Sequence, residues 1–248
     1  MNKRVIQFLG GKKNKQLAYP PDIAQQKDFL EMYEKCKPFT MTSIERMYAL
    51  YTSINYIVKN GISGDFVECG VWKGGSSMMI ALALLHHQIR DRKIFLYDTF
   101  EGMSAPTDDD ISFSGESAAA LLSVQKKEKD DSIWCFSPID EVKNNLHATG
   151  YPDDMLHFVK GKVEDTLPHV QPGKIALLRL DTDWYESTKT EMHILYPLLV
   201  QKGILIIDDF GHWEGSKKAI VEYFDKQQYQ PMLQRIDYTG ILMVKQES

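Results

Sequence analysis

The sequence predicts one α/β domain in which a mostly parallel, twisted sheet is covered by helices on both faces. Two observations predict it: almost continuous runs of Ile, Leu and Val alternate with segments of helical period, and acidic residues directly follow several of those runs. Strands that are apolar throughout are typical of parallel sheets buried on both faces. With 248 residues, the chain is long enough to bury such a core.

The first half of the predicted domain begins with a helix. Apolar residues spaced three and four apart predict this helix over residues 43–59, with Thr42 or Ser43 as its N-cap and Gly61 just past its end. The elements expected after it, in chain order, are a strand at 65–69, a helix at 76–88, a strand at 93–97 that ends in Asp98, a helix at 140–149 and a strand at 156–159.

The second half repeats the alternation of strand and helix. We expect a strand at 174–180 that ends in Asp181, a helix at 186–200, a strand at 204–207 that ends in Asp208 and Asp209, a helix at 215–226, and a last strand at 240–244. The last strand is expected either at the edge of the sheet or as a hairpin partner. The repeated βα pattern indicates a domain over residues 41–248.

Two stretches do not fit this alternation. Residues 1–40 are interpreted as an N-terminal, helical extension. Residues 103–134 carry runs of charged residues and interrupt the βα pattern, so we interpret them as an insertion that forms a mobile flap. Both stretches are expected to shape the pocket that binds the substrate.

Composition excludes several classes of protein. Lys and Arg number 29 against 34 Asp and Glu, and no basic cluster stands out, so nucleic-acid binding is not expected. No apolar run reaches the length of about 18 residues that spans a membrane, and the N-terminus has no signal-peptide pattern. The three cysteines are scattered, which argues against a disulfide framework and a structural zinc site. These features predict a cytoplasmic protein.

A glycine-rich turn over residues 68–76 is the first candidate ligand loop. It joins a strand to a helix N-terminus, and its glycines allow a ligand to approach the backbone. The spacing is GxxxGG, and Trp72 stands where a dinucleotide-binding GxGxxG motif has its second glycine, which argues against NAD. With Glu68 just before Gly70, the turn resembles the S-adenosylmethionine loop of Rossmann-like methyltransferases, and Asp98 is placed to accept both ribose hydroxyls.

Acidic residues at the ends of two later strands form the second candidate site. Asp181 and Asp183 follow one strand, and Asp208 and Asp209 follow the next. Carboxylates that meet at one sheet edge repel each other unless a cation lies between them, and oxygen ligands without His or Cys favour Mg²⁺ over zinc. The alternative is that these carboxylates only cap the helices expected at 186 and 215.

Six blocks of sequence together resemble the macrocin O-methyltransferase family. They lie, in the family's order and spacing, at residues 41–51, 64–77, 97–103, 178–188, 195–213 and 215–224. The family comprises S-adenosylmethionine- and Mg²⁺-dependent sugar O-methyltransferases of macrolide and aminocoumarin biosynthesis. The resemblance implies a Rossmann-like class I methyltransferase fold, the methyl donor, the metal, and an acceptor hydroxyl on a sugar or a glycosylated natural product.

The resemblance also implies roles for individual residues. Asp181, Asp208 and Asp209 match the metal ligands, and Asp181 also matches the general base. Residues implied to bind the donor are Glu68, Gly70, Val71, Gly74, Ser76, Ser77, Asp98, Thr99, Phe100, Val163, Glu164, Asp181 and Asp183. Met41, Thr42, Glu45 and Arg46 match a helix that packs over the donor site. Lys162 departs from the acidic or small residue that many relatives carry there.

Alternatives remain open from the sequence. A catechol-type small-molecule O-methyltransferase shares the metal chemistry, and a non-catalytic Rossmann-fold binding protein could keep the fold without the reaction. Trp184 and Tyr185 either wall the acceptor site or pack in the core, and His212 either reaches the acceptor or is a loop residue with a local hydrogen bond. By family analogy, the chain could form a homo-oligomer through its N-terminal segment.

Overall fold

The computed structural model describes residues 19–127 and 132–246, which form a seven-stranded sheet flanked by helices. The strands are β1 (Asp65–Cys69), β2 (Ile94–Asp98), β3 (Leu156–Lys160), β4 (Ile175–Leu180), β5 (Leu199–Ile207), β6 (Gln234–Arg235) and β7 (Ile241–Val244). The helices are α1 (Lys27–Cys36), α2 (Ile44–Lys59), α3 (Gly75–His86), α4 (Ala118–Val124), α5 (Ile139–His147), α6 (Val163–Thr166), α7 (Tyr185–Ile194) and α8 (Glu214–Lys226). Within these two ranges, no helix combines the length and apolarity needed to span a membrane.

The strand order is β3-β2-β1-β4-β5-β7-β6. The first five strands are parallel, and β7 and β6 are antiparallel to their neighbours. The predicted, mostly parallel α/β sheet is therefore confirmed. Because the chain order reverses between β2-β1 and β4-β5, the carboxyl ends of β1 and β4 border the crevice in which open α/β sheets bind ligands.

Both faces of the sheet are buried. Phe66 and Leu177 pack with α1, α2, α3 and α5 on one face, whereas Val67 and Leu178 pack with α6, α7 and α8 on the other. Since side chains alternate along a strand, covering both faces requires every position to be apolar. This explains why the strands are continuous apolar runs in the sequence.

The helix predicted over residues 186–200 is wrong at its C-terminal end. α7 ends at Ile194, residues 196–198 form a 3-10 turn, and β5 already begins at Leu199. Pro197 has no backbone N–H and cannot continue an α-helix, so the chain turns there into the sheet. β7 is a hairpin partner of β6 and also pairs with β5, so the edge of the sheet is β6.

The two irregular stretches each contain a helix in their described parts. α1 lies in the predicted N-terminal extension, whose residues 1–18 are outside the described residues, as are 128–131 of the insertion. In the insertion, α4 packs Ala118 and Leu122 against Trp184 and Trp213. A bridge from Ser112 to Trp213 also connects the insertion to the chain segment before α8. The insertion thus packs directly on the loops that follow β4 and β5.

Candidate functional site

A cavity of about 780 Å³ opens at the carboxyl ends of β1, β2, β4 and β5. Its volume is in the range of small-molecule sites. The predicted site residues that line it are Gly70, Val71, Ser76, Asp98, Thr99, Val163, Glu164, Asp181, Asp183, Asp208 and Asp209. Both candidate sites of the sequence, the glycine-rich turn and the carboxylate cluster, therefore face one cavity.

The glycine-rich turn touches the loop that carries Asp181. Gly70 has φ +80°, and a Cβ at this position would lie 1.9 Å from the carbonyl oxygen of Asp181. The Asp181 N–H donates to the Cys69 carbonyl at 2.8 Å. A side chain at residue 70 would push the two loops apart, so glycine is required by this contact as well as by the backbone angle.

Asp98 holds the same turn from the other side. Its carboxylate accepts hydrogen bonds from the backbone N–H groups of Val71 at 2.6 Å, Trp72 at 3.1 Å and Phe100 at 2.7 Å. Burial raises the pKa of Asp98, and the three N–H donors oppose that rise. The carboxylate is thus fixed at the wall of the cavity, next to the N-terminus of α3.

Four predicted donor-binding residues lie behind the cavity wall: Glu68, Gly74, Ser77 and Phe100. Glu68 is fully buried and accepts hydrogen bonds from the hydroxyls of Ser76 and Ser77. These contacts connect β1 to the first turn of α3 and so shape the loop. That these four residues touch the donor stays a prediction.

Asp181, Asp208 and Asp209 come together as the sequence predicts. One carboxylate oxygen from each lies within 4.8 Å of the others. The Oδ2 atom of Asp209 is buried and has no hydrogen-bond partner among the described residues. Since a buried polar atom without a partner is costly, this oxygen is suited to ligate a cation.

The electrostatics of the cluster also fit a cation. Burial raises the pKa of Asp181 and that of Asp209 well above the usual range, and the neighbouring carboxylates add to the effect. Burial and the charges of Asp181 and Asp208 raise the pKa of Asp183 to about 7, although its hydrogen bond with Asp209 opposes the rise. A divalent cation among these oxygens would stabilise their charged forms.

Two arginines that balance this charge were not singled out by the sequence as charge partners of the cluster. Arg179 on β4 is buried and donates to Glu68 at 2.5 Å, to Asp181 at 2.7 Å and to Asp208 at 2.6 Å. Arg46 on α2 pairs with Asp208 and, at 3.0 Å, with Asp237. A charged residue inside an otherwise apolar strand, as at position 179, is the signal that could have identified the first of them.

The alternative that the aspartates only cap helices is wrong. α7 and α8 have Trp184 and Trp213 as N-caps, and neither helix has a side-chain cap hydrogen bond at that position. The N–H of Tyr185 at the start of α7 instead donates to Asp110, in the insertion, at 2.7 Å. The carboxylates after β4 and β5 therefore do not serve as N-caps of these helices.

Three residues next to the candidate site, Trp184, Tyr185 and Cys69, have structural contacts. Trp184 stacks edge-on against Trp213, with ring centroids 4.9 Å apart, and Tyr185 donates to Glu222 at 2.8 Å. Neither Trp184 nor Tyr185 lines the cavity, so of the two alternatives core packing is correct. Cys69 is fully buried, and burial raises the pKa of its thiol, as suits a structural cysteine.

An aromatic rim at the mouth of the cavity was missed by the sequence. Phe113 is 60% exposed and Tyr238 is 55% exposed, and both line the cavity together with His212. The ring of Phe113 lies 5.4 Å from those of His212 and Tyr238. The hydrogen bond of His212, between Nδ1 and the Tyr238 hydroxyl at 3.3 Å, joins residues 26 positions apart, so it is not the local bond that was predicted. The three residues come from separate segments, so no sequence pattern unites them.

Comparison with known proteins identifies relatives over most of the chain. A family model for macrocin-O-methyltransferase (TylF) matches residues 30–245. The 8-demethyl-8-(2,3-dimethoxy-alpha-L-rhamnosyl)-tetracenomycin-C 4'-O-methyltransferase of Streptomyces olivaceus is 31% identical over 202 residues, which cover 82% of this chain and 74% of the relative. The demethyldecarbamoylnovobiocin O-methyltransferase of Streptomyces niveus is similar to the same extent, 31% over 202 residues, with 82% and 74% covered.

Two solved structures of methyltransferases are similar in fold to this chain. The structure of the O-methyltransferase NovP matches with a TM-score of 0.74 and 30% sequence identity, over 84% of this chain and 83% of that one. The calicheamicin methyltransferase CalS11 matches with a TM-score of 0.60 and 17% identity, over 96% of this chain and 98% of that one. The second likeness is one of fold alone.

Proposed function

The chain belongs to the macrocin O-methyltransferase family of S-adenosylmethionine-dependent enzymes, and from its site we propose a Mg²⁺-dependent transfer of a methyl group to a hydroxyl of a sugar or a glycosylated natural product. One observation carries the proposal: the glycine-rich turn and the carboxylate cluster share a single cavity and touch at Gly70 and Asp181. A donor held by the turn would therefore lie next to an acceptor held at the cluster.

In this proposal, the wall formed by β1 and β2 binds the donor. The backbone at Gly70 and Val71 approaches the methionine end, and Asp98 accepts the ribose hydroxyls. Val163 and Glu164 line the side of the cavity expected to face the adenine. Asp98 is already oriented by three backbone N–H groups, so little freedom is lost when it binds a ligand.

The carboxylate cluster holds and deprotonates the acceptor. Asp181, Asp208 and Asp209 would hold the Mg²⁺, and the partnerless Oδ2 of Asp209 supports this assignment. When bound, S-adenosylmethionine would supply a methyl group on a cationic sulfur and leave as S-adenosylhomocysteine, and Mg²⁺ would supply a positive charge that acidifies the acceptor hydroxyl. Asp181 takes the hydroxyl proton on its carboxylate, because it lies at the contact between the cluster and the donor turn. Arg179 keeps Asp181 oriented meanwhile.

The rim of the cavity supports an uncharged, partly apolar acceptor. The basic residues among the described lining are Arg46, which is paired with two carboxylates, and Lys162, which is on the donor side beside Val163. A sugar has apolar C–H faces that pack on aromatic rings such as those of Phe113 and Tyr238. Two relatives are named for acting on a rhamnosyl tetracenomycin and on demethyldecarbamoylnovobiocin, which agrees with such an acceptor.

Calorimetric titration with S-adenosylhomocysteine, in Mg²⁺ and again in EDTA, tests whether the protein binds the methyl donor's product. We expect micromolar binding, and no binding in either buffer would refute the methyltransferase assignment. The class of acceptor is tested by measuring methyl transfer to a panel of glycosides and to catechols. Transfer to glycosides is the expected result, and transfer to catechols alone would favour a catechol-type enzyme instead.

Asp181→Asn tests the proposed base. The amide cannot take up a proton, so we expect kcat to fall by at least about a hundredfold. Affinity for S-adenosylhomocysteine should change little, because Asp98 and the glycine-rich turn remain. Asp109→Asn, at a partly exposed position that pairs with Lys218, is the control and should retain activity. Unchanged turnover of Asp181→Asn would remove this residue as the base.

A further inference from the structure

Asp110 is a buried carboxylate in the insertion, and the proposed reaction assigns no role to it. It is fully buried, and both of its oxygens accept hydrogen bonds from the backbone. Oδ1 accepts from the N–H of Tyr185 at 2.7 Å, and Oδ2 accepts from the N–H of Thr107 at 2.7 Å and from its hydroxyl at 3.0 Å. A negative charge is thus held in the interior, where it is costly unless it is stabilised.

Asp110 lies between the N-termini of α7 and α8, and the first of these donates a hydrogen bond to it. Oδ1 of Asp110 bonds the first residue of α7 and also abuts the second residue of α8, Gly215, where a Cβ would lie only 2.1 Å away. Neither helix has a side-chain cap hydrogen bond at its own N-cap. Asp110 is thus hydrogen-bonded to the N-terminus of α7 and in contact with that of α8, so it fixes the two N-termini relative to each other.

These two helices directly follow the loops of the carboxylate cluster. α7 starts four residues after Asp181, and α8 starts five residues after Asp209. The insertion is connected to the same place by a bridge from Ser112 to Trp213 and by a hydrogen bond from the Glu214 N–H to the Ile111 carbonyl at 2.9 Å. A shift of either helix start would change the separation of the carboxylates.

We propose that Asp110 is a positioning residue, which holds the loops after β4 and β5 at the separation that a shared divalent cation requires. The inference rests on the proposed Mg²⁺-dependent function. Asp110 lines no part of the cavity, so it acts through Tyr185 and Gly215 rather than on a ligand. The insertion thus supports the metal loops besides contributing to the cavity wall.

A carboxylate is required because the groups that face it are donors on both sides. In Asp110→Asn, the amide oxygen can accept from Tyr185 or from Thr107, and the NH₂ group then faces the other backbone N–H. One of the two anchors is lost while size and shape are kept. Gly215→Ala disturbs the same contact from the other side, since its methyl group would displace Oδ1.

The test measures cation binding directly, with Mn²⁺ as the probe and electron paramagnetic resonance as the readout. Partners that orient metal ligands typically contribute about 10–100-fold to metal affinity or activity, and we expect a loss of this size in Asp110→Asn and in Gly215→Ala. Affinity for S-adenosylhomocysteine in EDTA should stay within about threefold, because the donor wall lies on β1 and β2. Asp109→Asn, next in the chain but partly exposed and paired with Lys218, is the matched control and should bind Mn²⁺ normally.

The two proposals fail in different ways. If the wild-type protein binds Mn²⁺ and transfers methyl groups but folded Asp110→Asn has wild-type affinity for Mn²⁺, the positioning role is overturned and the proposed function stands. A lower melting temperature with unchanged Mn²⁺ affinity also overturns it, because it indicates a merely structural cap. If the wild-type protein binds no divalent cation at all, the Mg²⁺-dependent function itself fails.

Discussion

Replacing Arg179 by methionine tests whether the carboxylate cluster depends on internal charge balance. The guanidinium is buried and contacts the carboxylates of Glu68, Asp181 and Asp208 at 2.5, 2.7 and 2.6 Å. Burial lowers the pKa of Arg179, but the three carboxylates outweigh burial and raise it well above its usual value, so the side chain stays charged. Methionine keeps much of the length and apolar stem but leaves the carboxylates without this partner.

The magnitude follows from the cost of leaving a buried charge unpaired. Removing one partner of a buried ion pair destabilises by about 3–5 kcal/mol, and in a chain of this size each kcal/mol shifts the melting temperature by about 2–4 °C. We therefore expect Arg179→Met to melt on the order of 10 °C below the wild-type protein in EDTA.

The loss of stability should also depend on pH. Burial raises the pKa of Asp181 and Arg179 opposes this rise, so Asp181 takes up a proton more readily in the variant. An acid whose pKa is raised by folding stabilises at low pH and loses that contribution as the pH rises, so the deficit should be larger at pH 8 than at pH 5.5.

Differential scanning calorimetry at both pH values, with and without Mg²⁺, measures the effect. Mg²⁺ should restore part of the lost stability by neutralising the carboxylates that have lost this partner. Arg92→Met is the control, because Arg92 is a half-buried arginine that donates to the Ile62 carbonyl, and its Nε and Nη2 have no hydrogen-bond partner among the described residues. An equal deficit in both variants, or one that does not depend on pH, would refute the charge-balance argument.

Two more predictions concern pH and the rim of the cavity. Folding raises the pKa of Asp183 to about 7, so without metal its stabilising contribution is present below about pH 4 and is lost as the pH rises through 7. Because Mg²⁺ competes with protons there, the rise in melting temperature on adding Mg²⁺ should be larger at pH 8 than at pH 6, and equal rises would contradict this assignment. Phe113→Ala should raise KM for an aryl glycoside about threefold to tenfold with kcat unchanged, through loss of ring contact. Met232→Ala, 77% exposed and outside the cavity lining, is its control, and an equal KM in both variants would remove the rim as part of the acceptor site.

The convergence of the aspartates illustrates how far sequence reasoning reaches. Each of Asp98, Asp181 and Asp208 stands at or just past the end of an apolar run, and parallel strands place their carboxyl ends at one edge. That the acids meet at one edge followed from this rule, whereas the strand order came from the structure. The family resemblance then supplied roles for the residues, which the local pattern alone left open between metal binding and helix capping.

The sequence by itself determined the sheet, its burial on both faces and the meeting of the acids, because these depend on periodicity and on the order of elements along the chain. Only the tertiary structure decided which groups donate hydrogen bonds to those acids and balance their charge. Arg179 reaches Glu68 across 111 positions of sequence, and Asp110 caps α7 across 75. Hydrogen-bond partners of buried charges are supplied by whichever segments fold against them, so a local pattern does not encode them.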